Sequence, residues 1–133
     1  RQVAIPLSRR SRSAQACSYA EVVNGGKSVL PRKMVTHHWG NLFSHTVAAI
    51  VSDALGLSMY AAVYVRLLSR TSVAELRREL QDKGLLDYTY WLCALCVDQH
   101  VSICGGFAGE PERDTVTGEV YKICGCNLPK FFQ

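Results

Sequence analysis

Residues 88–97 read Tyr-Thr-Tyr-Trp-Leu-Cys-Ala-Leu-Cys-Val, and Asp98-Gln99-His100 follows directly. The run is apolar on both alternating faces and rich in aromatic rings. A strand that hides both faces belongs inside a sheet covered by helices. Tyr88–Val97 is therefore expected as a central strand, ended by the abrupt polar step at Asp98. Upstream, Met34-Val35-Thr36-His37-His38-Trp39 lies between Pro31 and Gly40 and reads as a shorter strand.

The segment between the two strands carries helical periodicity. Asn41 suits an N-cap. Leu42, Phe43, Val47, Ile50, Val51, Ala54 and Leu55 recur at helical spacing, with Gly56 placed to end the helix. Ser58 is positioned to cap a second helix, Met59–Arg70, with Met59, Val63 and Leu67 on one face. Ser72-x-x-Glu75 has the form of a capping box for a third helix through Lys83, stopped by Gly84. Its apolar stripe is Leu76 and Leu80 alone, so it is expected at the surface. A strand, helices and a strand buried on both faces imply a parallel pair joined by a right-handed crossover. The expected class is α/β, a small parallel sheet flanked by helices.

Beyond residue 98 the pattern loses regularity. Residues 105–114 hold Gly105, Gly106, Gly109, Pro111 and three acids, and read as loop. Val116-Thr117-Gly118-Glu119 is a hairpin signal feeding a strand Val120–Cys124. The result is an irregular cysteine-rich C-terminal lobe, with an apolar end at Phe131-Phe132 placed to dock on the body.

The 133 residues suit one ordinary domain. At 48% hydrophobic and 20% charged, the chain has material for a core, which excludes wholesale disorder and a disulfide miniprotein. The net charge of +4 is local: seven of the fifteen bases but only one acid, Glu21, precede residue 34. Residues 1–33 are read as a basic N-terminal arm with one short element near Ala16–Val23, and residues 34–133 as a single α/β domain. Ser8-Arg9-Arg10-Ser11-Arg12-Ser13 is the one stretch that could touch phosphates, so nucleic acid is a partner only through this arm. The chain opens on Arg1 rather than Met, so a fragment or a processed form is expected. Leu42–Leu68 is interrupted by His45, Asp53, Gly56 and Arg66, which argues against a membrane span.

Two constellations could carry chemistry. If the two strands are parallel neighbours, His37, His38 and Trp39 would meet Asp98, Gln99 and His100 at the carboxyl edge, where open α/β sheets bind ligands. The plainer alternative is that these residues cap strand ends. The second constellation is Cys93-x2-Cys96-x3-His100-x3-Cys104 with Cys124-Gly125-Cys126, Cys17 standing apart. A helical turn after Val97 would put His100 and Cys104 on one face, and the hairpin would bring Cys124 and Cys126 across. His100, Cys104, Cys124 and Cys126 then make a closed set of four zinc ligands, a structural type, because catalytic zinc keeps a position open. Free thiols and disulfides remain open alternatives. Trp39 and Trp91 are expected as structural anchors.

Two segments also resemble a known family. Val35-Thr36-His37-His38-Trp39-Gly40-Asn41 resembles the opening motif of fungal heterokaryon-incompatibility domains, where a strand ends in a Ser-Tyr-x-Trp-Gly-Asp type sequence. Tyr90-Trp91-Leu92-Cys93-Ala94-Leu95-Cys96-Val97-Asp98-Gln99 resembles their aromatic-Trp-Ile-Asp-Ala-x-Cys-Ile-(Asp/Asn)-Gln strand, with Cys93 where the family has Asp. Both patterns are also similar to TIR-like proteins of protists, dinoflagellates especially. The resemblance implies a flavodoxin-like, TIR-like sheet and an intracellular, cytoplasmic signalling or interaction domain with a protein partner. Some TIR relatives cleave NAD, so it also implies, as the alternative, a nucleotide-processing enzyme with NAD at the strand ends.

Overall fold

In the computed structural model of the protein, residues 4–8, 17–102, 104, 113–114, 116–122, 124–126, 128–129 and 131 are described. The basic run after Ser8 and the glycine-rich loop 105–112 lie outside them. The elements run α1 (Ala4–Leu7), α2 (Tyr19–Val23), β1 (Lys33–Val35), α3 (Phe43–Ala54), α4 (Ala61–Leu67), α5 (Arg70–Asp82), β2 (Tyr90–Leu92) and α6 (Cys93–Cys96). Helices and one parallel two-stranded sheet, β1 beside β2, make a small α/β fold. The chain forms two compact units: Leu30–Trp91, and Arg1–Val29 together with Leu92–Gln133.

In the first unit, three helices supply the core. Ala48 of α3, Val63 of α4 and Leu76 of α5 are buried, with Val51, Leu55, Tyr64 and Leu67 packed around them. α3 forms where the periodicity places it, but its buried residues are Thr46, Ala48 and Ser52; of the expected stripe Val51 and Leu55 pack on the core, Phe43 is 59% exposed, and Asn41 sits one position early. Leu42 is the N-cap, and its N–H donates to Asn41 Oδ1. Gly56 ends α3 at φ +72°, with Leu57 N–H bonded to Ser52 O and Gly56 N–H to Asp53 O. Gly84 ends α5 in the same way at φ +65° through Leu85 to Leu80 and Gly84 to Gln81. These are paired C-terminal closures that need a left-handed residue, the conformation glycine reaches without a Cβ penalty. The Ser72 capping box does not form. α5 starts earlier, after Ser69, whose carbonyl takes the N–H of Val73.

β1 begins one residue before the expected strand and stops at Val35. His37 to Asn41 turn instead, with Gly40 N–H donating to His38 Nδ1 and Asn41 N–H to His38 O. Beside the sheet, Lys33 Nζ and Tyr90 OH both donate to Asp53, at 2.9 and 2.8 Å. The bond from Lys33, then that from Tyr90, holds the Asp53 carboxyl below its usual range. Trp39 is 61% exposed, so it is no core anchor; its ring lies against His37. Trp91 is half-buried.

The long central strand is corrected to three residues. Tyr90–Leu92 is extended, and Cys93-Ala94-Leu95-Cys96 winds into a helical turn closed by Val97 N–H to Cys93 O. Only Leu92 of the strand is buried. A sheet of two strands offers no second cover for a ten-residue apolar run, and Ala and Leu favour helix once pairing stops.

Ser52 is 3% exposed, and its hydroxyl has no hydrogen-bond partner. An unsatisfied buried polar group costs about 1–3 kcal/mol. Ser52→Ala is therefore expected to raise the free energy of unfolding, read by urea denaturation, by on the order of 1 kcal/mol.

Candidate metal centre

The second unit is built around polar and sulfur groups. After α6, the carboxylate of Asp98 accepts the His100 N–H at 2.8 Å, and Asp98 O accepts the Ser102 hydroxyl at 2.9 Å. Gln99 Nε2 donates to Cys93 O and Val97 O, and Cys104 N–H donates to Gln99 O. These bonds wind residues 98–102 into turns and tie Cys104 back to Gln99. The Cys104 thiol lies 3.5 Å from His100 O, as an i, i+4 relation on one face allows. The tail comes back at Phe131, whose N–H donates to Val101 O.

A hairpin brings the other two thiols. Arg113 and Val120 form an antiparallel bridge, and Gly118 turns the chain at φ +71°. Asp114 organises the turn: Oδ1 accepts the N–H groups of Val116 and Thr117, and Oδ2 accepts the Tyr121 hydroxyl at 2.6 Å. The Tyr121 bond, then those backbone donors, holds the Asp114 carboxyl down at about 2, against an ordinary 3.8. The sign follows directly. A lowered folded-state pKa contributes stability that is complete above the unfolded value and lost as pH falls through the folded one. The turn is thus expected to stay intact to about pH 4 and to loosen toward pH 2. Carboxyl-detected NMR titration of Asp114 checks this, and an ordinary midpoint near 3.8 would contradict it.

The donor atoms of His100, Cys104, Cys124 and Cys126 all lie within 4.8 Å of one another. Cys104 Sγ is 3.4 Å from Cys126 Sγ, and Cys124 Sγ is 3.5 Å from His100 Nδ1. A zinc tetrahedron with Zn–S near 2.3 Å and Zn–N near 2.0 Å has edges of about 3.5–3.8 Å. The sulfur pair is far longer than a disulfide bond of about 2.05 Å, and all six cysteines are free thiols. His100 and Cys104 are buried, Cys124 and Cys126 half-buried. Burial pushes the Cys126 thiol up, but the Leu128 N–H and the side chains of Cys104, His100 and Cys124 outweigh it and bring it down to about 6. A thiol poised toward thiolate suits a metal ligand. The cluster can bind a metal.

The other candidates distribute plainly. Cys93 and Cys96 lie half-buried on α6, outside the cluster. His37, His38 and Trp39 belong to the unit Leu30–Trp91, and Asp98, Gln99 and His100 to the other. Gln99 is 5% exposed and His100 fully buried, and both spend polar atoms on bonds inside their own unit. A neighbour that the sequence did not reveal is Ser8, 1% exposed, whose Oγ lies 3.1 Å from His100 Nε2. Ninety-two positions separate the two residues, and no local pattern links them. Cys17, left apart in the sequence, is buried with its thiol toward Ser8 O. Among the described residues no helix is long and apolar enough to cross a membrane. No family model, curated protein or solved structure matches the chain.

Proposed function

We propose that this chain is a TIR-like signalling or protein-interaction domain whose cysteine-bearing unit is held by one structural zinc. The observation that carries the zinc is the convergence of three thiols and one imidazole within 4.8 Å of one another, with two of the pairs at 3.4 and 3.5 Å, close to tetrahedral edges. Thiolate and imidazole donors select zinc among the common structural metals. Four protein ligands leave no position for water or substrate, so the metal's role is to fold the chain rather than to react. The domain part is supported by the order strand, three helices, parallel strand, with the two family-like motifs starting at Val35, the last residue of β1, and at Tyr90, the first of β2. Six free thiols fit an intracellular setting, where cysteines stay reduced.

Elemental analysis of the full chain purified under reducing conditions tests the proposal. One zinc per chain is expected, with three of the six thiols, those of Cys104, Cys124 and Cys126, protected from alkylation until a chelator is added. A metal-free protein with all thiols titratable would remove the zinc. The same zinc-loaded material is expected to leave NAD untouched; sustained NAD consumption would replace the interaction domain with an enzyme.

A further inference from the structure

Ser8 sits against the one non-sulfur donor of the cluster, and its hydrogen bonds bear on which nitrogen of His100 carries the hydrogen. A serine hydroxyl has a single hydrogen to give. Ser8 Oγ lies 2.7 Å from Ala4 O, a carbonyl that can only accept, so the hydrogen is committed there. Toward His100 Nε2, at 3.1 Å, the hydroxyl oxygen is therefore the acceptor, and Nε2 carries hydrogen. A metal-ligating imidazole is neutral and has one N–H. Nδ1 then carries no hydrogen and turns its lone pair toward the thiols, 3.5 Å from Cys124 Sγ.

We propose that Ser8 is the positioning residue that presents His100 as an Nδ1 metal ligand, so that metal binding and the seating of residues Ala4–Ser8 are a single coupled equilibrium. The proposal rests on the zinc reading and adds to it a residue that the ligand set does not contain. Ser8 is fixed from its other sides as well. Its N–H donates to Ala4 O at 3.0 Å, and the Cys17 thiol points at its carbonyl. The hydroxyl is thus held in place before any metal arrives. An outer partner of this kind orients the ring and strengthens its donor nitrogen, and its loss typically weakens metal binding about 10–100-fold. Linkage makes the effect reciprocal: whatever factor Ser8 adds to metal affinity, the metal adds to the seating of Ser8. Ser8 also begins the basic run Ser8–Ser13, so the metal holds the anchor point of that run.

The test uses the full chain with Ser8→Val and Ser8→Thr, which fill nearly the same volume and differ in the hydroxyl. Zinc affinity is read by competition with a chromophoric chelator. Ser8→Val is expected to bind zinc about 10–100-fold more weakly than the parent, and Ser8→Thr to recover most of the loss. Histidine nitrogen NMR of the zinc-loaded parent is expected to show His100 protonated at Nε2 and metal-bound at Nδ1. Amide exchange at Ser8, whose N–H is bonded to Ala4 O, should slow when zinc is added to the parent, and less so at position 8 of Ser8→Val. Zinc bound through Nε2, or equal affinities in all three chains, overturns the role of Ser8 and leaves the zinc site standing. A parent chain that takes up no zinc overturns both.

Discussion

Stripping zinc from the loaded chain with a strong chelator is expected to loosen residues 98–126 first, while the core of Leu30–Trp91 keeps its protection from hydrogen exchange. The reason lies in what each unit buries. The helical unit closes on Ala48, Val63 and Leu76. The ligand-bearing unit buries Cys17, Leu92 and Cys104 with Ser8, Gln99, His100 and Ser102, so among the described residues its interior is largely thiol and polar. Apolar burial contributes roughly 25 cal/mol per Å², and a set with one leucine offers little of it. Structural zinc contributes on the order of 10 kcal/mol in small peptides, more than any other single interaction available here. Cys104→Ala and Cys124→Ala should each reproduce the chelated state, because three remaining donors no longer close the tetrahedron. Exchange mass spectrometry with and without chelator reads the effect peptide by peptide. Identical exchange over 98–126 in the two states would show that the hairpin is held without metal.

The four-ligand cluster was legible because its spacings are local chemistry. His100 and Cys104 fall one helical turn apart, and Cys124-Gly125-Cys126 is compact whatever surrounds it. The turn was legible from Val116-Thr117-Gly118-Glu119, where Gly118 takes positive φ, but the strand expected over Val120–Cys124 is reduced, among the described residues, to a single bridge from Val120 to Arg113. The helices were found by periodicity, and the ends of α3 and α5 by Gly56 and Gly84, whereas their starts slipped by one to three residues and α4 stops at Leu67 rather than Arg70. Leu42 and Ser69 cap by extended backbone geometry without a side-chain bond, which leaves no mark in composition. The length of β2 was misread for a different reason. An apolar run of aromatic, Ala, Leu and Cys fits a buried strand or a helical turn equally, and only the number of neighbouring strands decides between them. Trp39 misled in the same way, since size predicts burial only where there is a surface to bury against. Ser8 was invisible altogether: its importance comes from a contact across the sequence, and within its own segment it is one serine among several.

Leu76→Ala is expected to cost about 2–5 kcal/mol, a large part of the 5–15 kcal/mol typical of a whole domain. Leu76 is the buried residue of α5, which is otherwise charged and exposed over most of its surface. Two attachments compete to explain how that helix is held. One is Leu76 in the cluster with Ala48 and Val63. The other is the Arg66–Glu79 ion pair at 2.8 Å, reinforced by Lys83 at 3.0 Å. Those bonds hold the Glu79 carboxyl below its ordinary range, led by the bond from Arg66. Both partners of the Arg66 pair remain one-third exposed, and exposed pairs contribute about 0–1 kcal/mol. Burial of the leucine should therefore dominate. Leu76→Met, which conserves volume, is expected to lose less than about 1.5 kcal/mol, and Glu79→Gln no more than about 1 kcal/mol. Urea unfolding followed by tryptophan fluorescence suits the comparison, since Trp39 and Trp91 both belong to this unit. A Glu79→Gln loss as large as that of Leu76→Ala would mean that the ion pair, and not the apolar contact, fixes α5 in place.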